Sequence, residues 1–432
     1  MTAQINRRSA VKTIGAVAVG SVSAPTVAAA KGKGRGGGKT EDWPMPEYNP
    51  GYTAFAPDNT GPTSDPEIAW KSELDFPSRE SVAVVNGTLY AITQDGRVYT
   101  IDANTGQSTQ LTTLPEAYGN SGPTVQRRTI YVGHGDAVYA LDSDNGNVQW
   151  STEVGPVGSF PVTVASGSVY AVTNEDPGIS VHALNAATGK TQWSFDTGKK
   201  YARDAIPTYA RGQLHVGTGG LPYRTDAKVS TIFTLNANNG DVNWKQDFPD
   251  TELEKYAGSP VVSDGSAFAG VRFNLYGLDA RKGDELWSYR TDGDVGSYES
   301  TLPAVGHGKV IGAQDYGNVV AVNRENGDLE WIVDLHEYFD IHYNSADLSP
   351  VIAGETVYVA TTYQESENSP SKGLLVAFDI ENGQVKWSWQ FDNRIQSMPV
   401  VADGKIFVST LPEIGSPPPW DFGFPVYALE DP

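Results

Sequence analysis

One thirteen-residue pattern recurs along this chain and constrains its fold more than any other feature. Residues 138–150 read Val-Tyr-Ala-Leu-Asp-Ser-Asp-Asn-Gly-Asn-Val-Gln-Trp, and related segments fill 181–193, 232–244, 275–287, 319–331 and 375–387. An Asp or Asn stands four residues before each repeat glycine, as Asp142 does before Gly146 and Asp379 before Gly383. A tryptophan stands four after it: Trp150, Trp193, Trp244, Trp287, Trp331 and Trp387. A seventh copy, 98–110, has Gln110 in place of the tryptophan, and an eighth, 426–432, ends the sequence. The apolar, partly β-branched run before the Asp or Asn suits a buried strand. The acid or amide can hydrogen-bond the turn backbone, and glycine can take positive φ there without a Cβ clash. The unit therefore reads as a hairpin.

A second hairpin precedes each first one, as in 259–271, 349–361 and 397–409. Each repeat is then four antiparallel strands over roughly 45 residues, a period that means a propeller or a solenoid. The count closes as a ring. The C-terminal unit offers three strands, near 398–401, 405–409 and 426–430, and lacks the Trp strand. An orphan Trp strand at 68–74 precedes the first complete unit. Joining them completes an eighth blade and removes the exposed sheet edges. The expected fold is all-β: an eight-bladed propeller of four-stranded antiparallel blades over 67–432, closed by an N-terminal strand. The recurring tryptophans are packing residues, because a catalytic group would not be copied around the ring. Gln110 predicts different packing around blade 1.

The pattern Ala-Leu/Phe-Asp/Asn-x-x-x-Gly-x-x-x-Trp resembles the quinoprotein-type, or PQQ-like, repeat of the BamB-like branch. The resemblance covers 68–432, and the stretch from Trp43-Pro44 to Asn59-Thr60-Gly61-Pro62 is similar to the lead-in of many such propellers. It implies one of two things. The chain is a non-catalytic binding or scaffold propeller, or it is an oxidoreductase using pyrroloquinoline quinone (PQQ) and calcium on alcohols or sugars. The dehydrogenase branch implies adjacent cysteines beside the quinone in many members and a Glu, Asn and Asp set on Ca²⁺ next to an Asp base. This chain has no cysteine, and no local motif supplies that set. The expected cofactor list is therefore empty, with PQQ and calcium as the alternative and Asp204, Glu299 or Asp347 as its candidate bases.

The N-terminus, Asn6-Arg7-Arg8-Ser9 followed by a mildly apolar run and Ala28-Ala29-Ala30, reads as a twin-arginine export signal over 1–30. Residues 31–66 read as a flexible Gly/Pro-rich linker and lead-in, with Trp43 and Tyr48 as anchors across the propeller. Seven of the 31 basic residues fall in 1–40, leaving 24 against 52 acids and a net charge of −28. Such a surface repels nucleic acid and matches extreme halophiles. The expectation is a haloarchaeal extracellular or cell-surface monomer, without a transmembrane span in its mature form.

Strand alternation also predicts where the site lies. Tight turns such as Asn86-Gly87 and Asp264-Gly265 fall at one end of the blades. The long connections, including 218–230, 291–300, 335–347 and 410–425, all fall at the other. Binding residues concentrate on such loops. The candidates for engaging a protein or glycan at the cell envelope are Tyr118, Tyr201, Arg203, Asp204, Tyr256, Glu299, His342, Asp347, Arg394 and Trp420. No catalytic residue is assigned, and no metal site: His336, Glu337, Asp340 and His342 lack zinc-helix spacing.

Overall fold

The computed structural model describes residues 41–74, 82–115, 121–157, 160–175, 178–199, 205–218, 229–249, 258–271, 273–291, 301–314, 317–341, 343–345, 348–367, 369–411 and 424–432. The expected signal and basic stub, 1–40, lie outside them. Eight antiparallel sheets form a propeller. Blade 1 runs Ala83–Val85, Thr88–Ile92, Arg97–Asp102 and Ser108–Thr113, from the hub outward. Blades 2 to 7 repeat that order, starting at Thr124, Thr163, Thr208, Val261, Ala304 and Val351. Blade 8 joins the two ends of the chain: Val400–Ala402, Lys405–Ser409 and Phe424–Glu430 pair in turn, and Glu67–Leu74 adds the outer strand.

The repeat residues do what their chemistry suggests. Asp142 Oδ1 accepts from the amides of Asp144 and Asn145, and Asn185, Asp279 and Asp379 cap their own turns likewise. Gly146, Gly189, Gly240, Gly283, Gly327 and Gly383 all have positive φ. A second requirement on these glycines comes from the neighbouring blade. A Cβ on Gly383 would stand 2.7 Å from the ring of Trp331, one blade back, and Gly189, Gly240, Gly283 and Gly327 meet Trp150, Trp193, Trp244 and Trp287 in the same way. Each indole Nε1 donates to a turn carbonyl of the following blade, as Trp244 does to Ala280 (3.0 Å) and Trp331 to Ile380 (2.9 Å). The tryptophan of one blade is thus wedged on the glycine turn of the next. Where Gln110 breaks the series, Leu111 covers Gly146 instead.

The seam uses the same device with substitutes. Blade 8 has no repeat glycine, and the Trp387 indole donates instead to Pro62 in the lead-in (2.8 Å). Asp431 holds that turn by accepting from the amides and hydroxyls of Thr63 and Ser64. The last blade therefore takes both its outer strand and its turn from the N-terminal side.

Three elements depart from the expected scheme. The connection 335–347 holds a short helix, Leu335–Phe339, capped by Asp334 and ended by Asp340 at φ 52°. Tyr343–Ser345 pairs with the strand Thr356–Gln364. That strand and Lys372–Asp379 extend into 361–373, so much of the expected loop there is sheet.

Candidate functional site

The tight turns adopt the geometry that places them at one end. Asn86, Ser166, Asp264, His307 and Asp403 have positive φ, as do the glycines after them. This is the type I′ turn that matches strand twist. The long connections leave from the opposite end. Of the ten candidate residues, the structure describes Arg394; Tyr118, Tyr201, Arg203, Asp204, Tyr256, Glu299, His342, Asp347 and Trp420 lie outside the described residues. Arg394 is half-buried on the connection from blade 7 to blade 8. Its carbonyl accepts from Leu411, and Ile395 bridges Thr410, which seats it beside the last long loop. Its Nε is buried without a hydrogen-bond partner.

Serines absent from the sequence-derived candidates pin the inner ends of these connections. Ser259 Oγ accepts from Ile206 (2.8 Å) and Gly217 (3.0 Å), Ser349 from Leu302 (2.9 Å), and Ser397 from Ser409 (2.9 Å). The signal was present as a serine one or two residues before a proline at the head of an inner strand, in 259–260, 349–350 and 397–399.

The lead-in lies across the hub, with Trp43 and Tyr48 as the anchors the sequence suggests. Its residues 43–59 do more than cross. They run around its axis at the tight-turn end and touch the innermost strand of every blade. Trp43 and Val84 exchange backbone hydrogen bonds (2.7 and 2.8 Å). The amides of Val125, Tyr209, Val262, Val305 and Ile352 then donate to the carbonyls of Pro44, Pro50, Gly51, Thr53 and Ala54, at 2.6–2.8 Å. In blade 3 the contact is from the Thr163 hydroxyl to Tyr52 Oη (3.2 Å), and in blade 8 from Asn59 Nδ2 to the carbonyl of Val401 (2.7 Å). Phe55–Ala56 even pairs as a short parallel strand with Val351–Ala353. Trp43 and Tyr52 are buried, and Tyr48 packs on Trp43 at 5.2 Å between ring centroids.

Within this segment Glu47 is 2% exposed at φ 55°. Burial pushes its carboxyl up to about 8, against the opposing effect of the Ser349 hydroxyl. One carboxyl oxygen has no hydrogen-bond partner. The group is a largely neutral acid at pH 7, which lessens the cost of burying it.

A quinone with its calcium needs converging carboxylates. Among the described residues no three His, Cys, Asp or Glu side chains come together as a metal site. Asp204, Glu299 and Asp347 lie outside the described residues. His336 lies in the short helix and Asp340 ends it.

Sequence comparison places the chain among known propellers. The family profile described as outer membrane protein assembly factor BamB matches residues 63–175, 112–268 and 177–416. The BamB of Escherichia coli K12 is 26% identical over 370 residues, 79% of this chain and 86% of that protein. The BamB of Yersinia pestis is 28% identical over 178 residues, and that match spans 42% of its length. Among solved structures, BamB from Moraxella catarrhalis superposes with a TM-score of 0.61 at 16% identity, over 84% of this chain and 99% of the other. Quinohemoprotein alcohol dehydrogenase from Comamonas testosteroni superposes with a TM-score of 0.65 at 15% identity, over 90% and 80%. At such identities the structural likeness speaks for the fold alone. The family match covers most of the ring, and the chain belongs to the BamB-type family of PQQ-like-repeat propellers.

Proposed function

We propose that this protein is an exported, non-catalytic scaffold that engages a protein or glycan of the cell envelope through its long-loop face. One observation carries the reading: the two ends of the ring are unequal. The tight-turn end is occupied by the protein's own residues 43–59, while the end bearing every long connection carries the half-buried Arg394. Membership in a family described as an assembly factor supports a binding role. The binding surface is assigned to Tyr118, Tyr201, Arg203, Asp204, Tyr256, Glu299, His342, Asp347, Arg394 and Trp420. The protein leaves the cell by the twin-arginine route after cleavage near Ala30. It works at the cell surface as a monomer in high salt. Replacing Arg203, Tyr256 and Arg394 together by alanine should abolish recovery of a specific envelope partner in a high-salt pull-down. Undiminished recovery would sink the proposal.

The fold likeness to a quinohemoprotein alcohol dehydrogenase supports a second reading, a PQQ- and calcium-dependent oxidoreductase acting on alcohols or sugars. Incubation with PQQ and Ca²⁺ in high salt separates the two. Saturable quinone binding that depends on Asp204, Glu299 or Asp347, together with dye reduction, would favour the enzyme. Neither should occur for the scaffold.

A further inference from the structure

The contacts of residues 43–59 are those of a bound peptide. Six inner strands present a backbone amide toward the segment, and each amide finds a carbonyl of it. An amide left unpaired at a buried hub would cost about 1–3 kcal/mol, so the hub edges form a ring of donors that calls for an extended acceptor. Main-chain pairing of this kind, with side chains seated in pockets, is how sheet edges take peptides. Trp43 at one end and Tyr52 near the middle are the buried anchors, and Asn59 holds the far end through Asp42 and Val401. Two glycines, one within the segment and one just beyond it, mark where the chain passes too close for a side chain. A Cβ on Gly51 would lie 2.3 Å from the Val262 carbonyl oxygen, and one on Gly61 would lie 2.6 Å from Tyr358 Oη. The composition of this stretch is therefore specified by the surface beneath it.

We propose that the tight-turn mouth of the hub is a peptide-binding site. Residues 43–59 are its resident ligand in cis, and it accepts the same segment supplied in trans by a peptide or a second copy of the chain. While the resident segment is seated it closes that mouth, so a ligand reaches the axis from the long-loop end only. This site is separate from the long-loop face and stands whether or not that face binds a partner.

The test uses the full chain in high salt and a labelled peptide spanning residues 41–64. In the wild type, the amides of Val84, Val125, Tyr209, Val262, Val305 and Ile352 should resist hydrogen exchange. In Gly51→Val they should exchange together while the blades keep their circular dichroism. Added peptide should bind the variant at least tenfold more tightly than the wild type and restore that protection. A peptide carrying the same Gly51→Val change should not bind. The proposal is overturned if the hub amides exchange freely in the wild type. It is equally overturned if the opened variant neither binds the peptide nor regains protection, or if a scrambled peptide binds as well. Should Gly51→Val fail to fold or leave the segment seated, Trp43→Ala combined with Asn59→Ala removes both ends without added bulk, and the same outcomes decide.

Discussion

At the scale of single residues, the repeat glycine answers to two demands, and mutation separates them. Gly383 and Gly404 both have positive φ, near 70° and 74°. A Cβ at Gly383 meets the Trp331 ring at 2.7 Å, whereas one at Gly404 meets nothing within 4 Å. Gly404→Ala should therefore cost about 1 kcal/mol of backbone strain. Gly383→Ala should cost about 2–4 kcal/mol, since the displaced indole adds an overpacking penalty. Denaturant midpoints in high salt check this, and equal losses would contradict the wedge. Glu47 gives a pH prediction. Its carboxyl titrates near 8 in the folded protein against 4.5 as a free side chain. The folded state then holds the extra proton between those values, so stability present at pH 4.5 is lost as pH rises toward 8. Glu47→Gln should remove that slope. It should match the wild type near pH 5 and exceed it by on the order of a few kcal/mol at pH 8–9, as read from thermal unfolding across pH. A parallel slope in both proteins would rule the assignment out.

At the scale of elements, the sequence shows clearly whatever is periodic. The hairpins, the tryptophan series, the exception at Gln110 and the shared eighth blade all follow from spacing and apolar alternation. The lead-in is different. It has no period, its prolines and glycines read as linker, and its partners are mostly backbone groups, scattered over the inner strands of eight blades. Trp43 and Tyr48 stand out as anchors on the propeller, but nothing local in 43–59 says which strands the segment meets. The helix Leu335–Phe339 was also missed, although Asp334 three residues before Glu337 is a capping signal: Asp334 Oδ1 accepts from His336 and Glu337. The proposed binding face is legible as an end of the ring, from loop lengths. Its side chains were nominated by residue type, and only Arg394 among them falls within the described residues. The seam yields its own prediction. Asp431→Ala removes the acceptor for Thr63 and Ser64 and should cost about 1 kcal/mol. Hydrogen exchange should quicken first in Glu67–Leu74 and leave the mid-ring blade around Trp244 unchanged. Uniform quickening would show that blade 8 is not a local weak point.

At the scale of the whole molecule, charge and ring closure set the working conditions. Past residue 40 the chain carries 24 basic and 52 acidic residues and has no cysteine. Its stability rests on blade interfaces and on screening of like charges, which weakens as salt is diluted. The unfolding temperature should fall steadily from molar salt to the millimolar range, and a flat profile would contradict the halophilic reading. The proposal that the ring works from its long-loop end can be tested at the ring itself. The absence of cysteine allows a clean measurement. A photo-crosslinker is attached at Glu367→Cys, beside the long loop of blade 7, or at Glu325→Cys, on a turn at the opposite end; both positions are exposed. Each protein is irradiated in envelope extract at high salt. A ring that works from its long-loop end gives a discrete covalent adduct from Glu367→Cys and none from Glu325→Cys. An adduct from the turn end alone would contradict it.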